Sequence, residues 1–116
     1  RSNSLSIMNL NHYQDKSRTT ALYPNVGNNP IYPTLGLAGE AGEVAEKVKK
    51  IIRDSDGSDL EERKNAISHE IGDVLWYIAA LCSEIDVSME EVAFRNLGKL
   101  KSRQNRKKLK GSGDDR

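Results

Sequence analysis

Apolar side chains recur at alternating spacings of four and three along most of this chain, and no stretch alternates residue by residue as a half-buried strand would. From about Thr34 to Arg53, Leu37, Ala41, Val44, Val48 and Ile51 draw one apolar stripe on a helix. A longer helix reaching about Ile85 carries Ile67, Ile71, Val74, Ile78, Leu81 and Ile85 in its stripe. Between them, Asp54 to Asp59 is a polar turn around Gly57. Ser88-Met89-Glu90-Glu91 has the form of a capping box, opening a last helix whose Met89, Val92, Ala93, Leu97 and Leu100 are expected to face inward. Upstream, Asn9 or Asn11 is placed to cap a first helix carrying Leu10, Tyr13 and Ala21. That helix ends before the turn-rich Tyr23 to Pro33, which holds all three prolines. The pattern predicts an all-α bundle of four to five helices.

The backs of the two long helices need covering. Gly36, Gly39 and Gly42 recur every three residues away from the stripe, each costing up to about 1 kcal/mol relative to alanine. Such positions permit the close approach of another backbone or a loop. The following helix carries Gly72, Trp76, Ala79 and Ala80 on its back, so it is apolar nearly all round. One layer of four helices does not readily cover both faces, which predicts a bundle completed by an intersubunit dimer interface. The alternative is that the first helix and the proline-bearing loop cover this surface within one chain.

The chain's 116 residues, 36% hydrophobic and 30% charged, suit a single globular domain. We place an N-terminal extension or cloning remnant at 1–8, the domain at 9–105, and a basic, then Gly/Ser/Asp-rich, mobile tail at 106–116. The single Cys82 excludes an intrachain disulfide framework. No signal-peptide stretch or membrane-spanning run is present, and a cytoplasmic protein is expected.

Candidate chemistry lies in the acidic residues. Glu40 and Glu43, three apart, flank the second helix's stripe, and Glu70 and Asp73 hold the corresponding flank of the third. Packing the stripes together would bring four carboxylates to one edge, where they need a counter-charge. Magnesium is the natural one, since it prefers oxygen ligands and often completes its shell with substrate phosphates; manganese and calcium are less favoured. A di-iron bundle would need Glu-x-x-His motifs that the two helices lack. A lone Glu-x-x-Glu is usually a solvated helix face, but two at matching flanks argue against that. Glu46 falls on the opposite side and is expected to pair with Lys49 or Lys50. Tyr77, one turn beyond Asp73, puts a phenol where it could touch a sugar or stack on a base.

On the last helix, Asn96 stands inside the apolar stripe, where a buried amide without a partner would cost about 1–3 kcal/mol. With Lys99 and Arg103 it could line one side of a triphosphate. Lys99 to Lys110 holds seven basic residues and no acidic one. No aromatic residue interleaves them, which argues against a nucleic-acid partner.

Gly39-Glu40-Ala41-Gly42-Glu43-Val44-Ala45-Glu46, followed by Glu70-Ile71-Gly72-Asp73-Val74-Leu75-Trp76-Tyr77, resembles the MazG-like nucleotide pyrophosphohydrolases. The likeness runs from about Leu10 to Arg103, and its selectivity lies in the pairing of the two motifs. It implies an all-α fold, a homo-oligomer (a dimer or a dimer of dimers), and magnesium-dependent cleavage of a nucleoside triphosphate to monophosphate and pyrophosphate. By the same resemblance Glu40, Glu43, Glu70 and Asp73 are the metal and catalytic residues, and Asn96, Lys99 and Arg103 contact the phosphates; Tyr77 joins them as a substrate contact on its position alone. Some members have a further acidic residue where this chain has Gly39. A phosphoribosyl-ATP-type pyrophosphohydrolase and a non-catalytic oligomerisation module are the rival readings.

Overall fold

A computed structural model describes residues 7–55 and 60–110. Residues 1–6 of the N-terminal extension, 56–59 of the Gly57 turn and 111–116 of the tail lie outside the described residues. Among the described residues four α-helices follow one another: α1 (Leu10–Arg18), α2 (Ile31–Ser55), α3 (Leu60–Glu84) and α4 (Met89–Lys110). Among the described residues there is no strand, as the periodicity predicts. No helix among the described residues is long and apolar enough to cross a membrane.

Local chemistry sets the helix ends. Asn9 caps α1, its Oδ1 accepting from the His12 N–H at 2.8 Å. Asn29 Oδ1 accepts from the Tyr32 N–H at 3.2 Å and starts α2 at Ile31, three residues earlier than the stripe suggests. Pro33 therefore lies inside the helix and is fully buried; in the first turn its missing N–H costs nothing. α1 is shorter than expected, leaving Ala21 in the connection that follows. α3 ends in a Schellman motif: Val87 N–H donates to Cys82 O at 2.9 Å and Asp86 N–H to Ser83 O at 3.3 Å, with Asp86 left-handed at φ 63°. α4 opens as a capping box would, Ser88 Oγ accepting from the Glu91 N–H at 3.1 Å, while the Glu91 carboxylate takes Arg95 instead. Helical backbone continues through the basic run to Lys110.

The long helices α2 and α3 form an antiparallel hairpin. Numbers rise on one helix as they fall on the other: Gly36 meets Tyr77, Glu40 meets Asp73, and Lys47 meets Glu70. α1 packs on the opposite side of α3, and α4 packs on α1. A small core joins these three helices, with Ala79, Cys82 and Met89 buried and Leu10, Tyr13, Leu75 and Ile78 around them. Gln14 of α1 fastens it, donating to Val87 O at 2.9 Å and Ser83 Oγ at 3.2 Å and accepting from the Met89 N–H at 2.7 Å.

Two expectations are corrected here. The back of α3 at Trp76, Ala79 and Ala80 is covered within the chain, by α1 and the connection after it; Trp76 Nε1 donates to Thr20 Oγ1 at 2.8 Å. Conversely, Val92, Leu97 and Leu100 of α4 do not face inward: they are exposed, as is Phe94 at 73%. At 1.5 Å per residue the nine residues of α1 span about 14 Å and the 22 of α4 about 33 Å, so most of α4 overhangs its support.

Candidate metal centre on the hairpin

The site grows out of the α2–α3 hairpin. One oxygen each from Glu40, Glu70 and Asp73 lies within 4.8 Å of the other two. Glu70 and Asp73 are a turn apart on α3, and Glu40 reaches them from α2, so the three meet because the antiparallel register sets residue 40 opposite residue 73. Burial pushes the Glu40 carboxyl above its ordinary range, and so do Asp73, a hydrogen bond shared with Glu70, and the charges of Glu70 and Glu43. Such mutual repulsion is what a bound cation would relieve. Three converging carboxylates suit a hard, oxygen-seeking divalent ion better than a soft one.

Glu43 stands outside this trio. It is exposed one turn beyond Glu40 and close enough to raise it electrostatically. Glu46 pairs with Lys49 at 3.0 Å, on the far side as expected.

Tyr77 borders the cluster. Its ring lies directly against Gly36, whose missing side chain makes the space: a Cβ there would overlap Cε1, Cδ1 and Cζ of the ring. Of the three glycines expected on the back of α2, Gly36 instead faces α3 and has this use within the chain, while added methyls at Gly39 and Gly42 would meet open space. The Tyr77 hydroxyl is held above its usual range by burial, then by Tyr32, Glu40 and Asp73 and a hydrogen bond with Tyr32. Trp76 meets the Tyr77 ring edge-on, with centroids 5.0 Å apart. The Tyr32 ring stacks on Tyr23 at 5.1 Å.

The residues expected on α4 are not brought to the trio. Asn96 is exposed on the rim of an apolar groove lined also by Leu10, Leu75, Ile78 and Val92. The expected buried amide is thus absent, because α4 overhangs. Lys99 is exposed and Arg103 half-buried, and among the described residues no ion pair or hydrogen bond joins either to Glu40, Glu70 or Asp73.

Two residues escaped the sequence reading. Lys47 Nζ lies 3.4 Å from Glu70 Oε2; its position two turns beyond Glu40 on the same flank was the available signal. Glu84 has no exposed side-chain surface and anchors the connection between α1 and α2. Its Oε2 accepts from Arg18 Nη2 at 2.8 Å, the Tyr23 hydroxyl at 2.6 Å and the Gly27 N–H at 2.8 Å, and its Oε1 from the Asn29 N–H at 2.8 Å. Burial alone would raise this carboxyl, but these donors from the backbone and from Tyr23 and Arg18 outweigh it and hold Glu84 at about 2. Nothing in the spacing distinguishes Glu84 from a surface glutamate.

Comparison with known proteins places this geometry. The model of the MazG nucleotide pyrophosphohydrolase domain matches residues 32–107, which spans α2 to α4 and all of the acidic cluster. The Gene 37 protein of Mycobacterium phage L5 is 46% identical over 114 residues, covering 94% of this chain and the whole of that protein. No solved structure matches the chain.

Proposed function

We propose that this chain, which belongs to the MazG nucleotide pyrophosphohydrolase family, carries out magnesium-dependent hydrolysis of a nucleoside triphosphate to the monophosphate and pyrophosphate. The observation that carries this reading is the convergence of Glu40, Glu70 and Asp73 from two helices to within 4.8 Å. Glu43, a turn from Glu40, supplies the fourth carboxylate. Magnesium held there would neutralise charge on the phosphates and favour attack of water on the α-phosphorus. Tyr77, held between Gly36, Trp76 and Tyr32, walls the cluster on the side where a sugar or base would rest.

Asn96, Lys99 and Arg103 are assigned to the phosphates on the family resemblance. The apolar overhang of α4 (Val92, Phe94, Leu97, Leu100) and the exposed Ile31, Leu35 and Ile52 of α2 support a homo-oligomer, since so much uncovered apolar surface is unusual in a monomer. Light scattering on the wild-type protein and on Leu97→Glu tests this; a monomer in both would overturn it.

The activity is tested by incubating canonical and modified nucleoside triphosphates, deoxynucleotides and phosphoribosyl-ATP with the protein and magnesium, and measuring monophosphate and pyrophosphate release. Glu40→Gln and Asp73→Asn should each lower turnover by at least about a hundred-fold, as expected when a charge-stabilising group is lost. Undiminished turnover in both variants would dismiss the site.

A further inference from the structure

Lys47 is a cation already lodged at the acidic cluster. It sits on α2 one turn beyond Glu43, and its ammonium crosses to α3, lying 3.4 Å from Glu70 Oε2. The two side chains are 35% and 19% exposed, whereas the Lys49–Glu46 and Lys64–Glu61 pairs run along single helices with more than half of each side chain in solvent. A surface pair of the latter kind holds nothing in place. The Lys47–Glu70 pair ties together the two helices that form the trio, through a member of the trio.

Glu70 has a limited number of lone pairs, and any cation bound among Glu40, Glu70 and Asp73 draws on the same carboxylate and repels an ammonium so close by. We propose that Lys47 is the resting counter-ion of this site: a positioning residue that holds Glu70 while no metal is bound and that the metal must displace. Lys47 then has two opposite effects. It stabilises the metal-free hairpin by offsetting the repulsion among the carboxylates, and it weakens metal binding by competing for Glu70. The proposal rests on the metal-site reading above and adds to it a residue that the acidic motifs do not contain.

The test compares wild type, Lys47→Met and Lys47→Arg by two readouts that require no turnover: thermal unfolding without metal, and binding of manganese followed by the spin-resonance signal of the free ion. Loss of a partly buried pair should lower the metal-free Tm of Lys47→Met by about 3 °C. The same variant should bind manganese about three- to ten-fold more tightly. Its Tm should converge on that of wild type once the site is saturated. Lys47→Arg should keep the wild-type values. Lys47→Gln serves in place of the methionine variant if that variant does not fold. Manganese affinity that is unchanged or weaker in the neutral variants, with wild type binding normally, overturns the role of Lys47 alone. No manganese binding by wild type, with no difference from Glu40→Gln, removes the metal site and this proposal with it.

Discussion

Replacing Glu84 with glutamine tests the anchor that fixes the connection between α1 and α2. The carboxyl is held at about 2 against an ordinary value of 4.5. Because the folded value is the lower one, the folded state favours the ionised form. The resulting stability is fully present above pH 4.5 and is lost as pH falls toward 2. A separation of this size corresponds to about 3 kcal/mol at pH 7 and only about 1 kcal/mol at pH 3. The Glu84 side chain is wholly shielded from solvent, so little of this is lost to screening. Glutamine also sets an NH2 group against donors that now converge on oxygen: either Asn29, or Arg18, Tyr23 and Gly27 together, lose an acceptor. Urea unfolding of wild type and Glu84→Gln at pH 7 and pH 3 should show a gap of about 3 kcal/mol or more that narrows by about 2 kcal/mol in acid. Other carboxylates titrate alike in both proteins and cancel. Equal stability at pH 7, or a gap that does not change with pH, would show that an ionised Glu84 does not anchor the connection.

Three further perturbations follow from particular contacts. Gly36→Ala drives a methyl into the Tyr77 ring, so it should destabilise the protein by about 1–3 kcal/mol and raise KM; Gly39→Ala, facing open space, should instead stabilise the isolated chain by up to about 1 kcal/mol. Thermal unfolding of the two variants side by side checks the contrast, and equal shifts would contradict it. Gln14→Ala removes three hydrogen bonds between α1 and the α3–α4 junction and should cost about 1–3 kcal/mol in urea unfolding, with the Met89 N–H left without its acceptor. Asp86→Gly relieves a left-handed residue at the end of α3 and should raise stability by up to about 1 kcal/mol, seen as a higher Tm.

The helices and the trio were legible in the sequence because both depend on spacing along a single helix. Leu37, Val44 and Ile51 predict a stripe, and Ile51 is 2% exposed on the hairpin. Glu40 converges with Glu70 and Asp73 because each flanks its own stripe, so burying the stripes sets them side by side. What was not legible depends on where one element stops relative to another. The inward face expected for Val92, Leu97 and Leu100 assumed a support as long as α4, but α1 has nine residues. The proline at 33 read as a loop because its position relative to the helix start was unknown, and one turn decides between tolerance and disruption. Glu84 and Gln14 were invisible for a different reason: their partners include backbone groups in connections and side chains distant in sequence, which leave no periodic signature.

The segment Gly36 to Glu43 concentrates what is locally unfavourable in α2. Three glycines there cost about 2–3 kcal/mol against alanine. In the same stretch Glu40 and Glu43 add like charges to a helix already facing Glu70 and Asp73. A segment under helix-forming pressure alone would carry neither. The structure accounts for one glycine, Gly36, through the Tyr77 ring, and for part of the charge, through Lys47. Gly39, Gly42 and the remaining repulsion lack any counterpart among the described residues of one chain. Such a concentration of unfavourable features within two turns is what the proposed cation, among the carboxylates, and the proposed second subunit, against the bare glycine backbone, would offset.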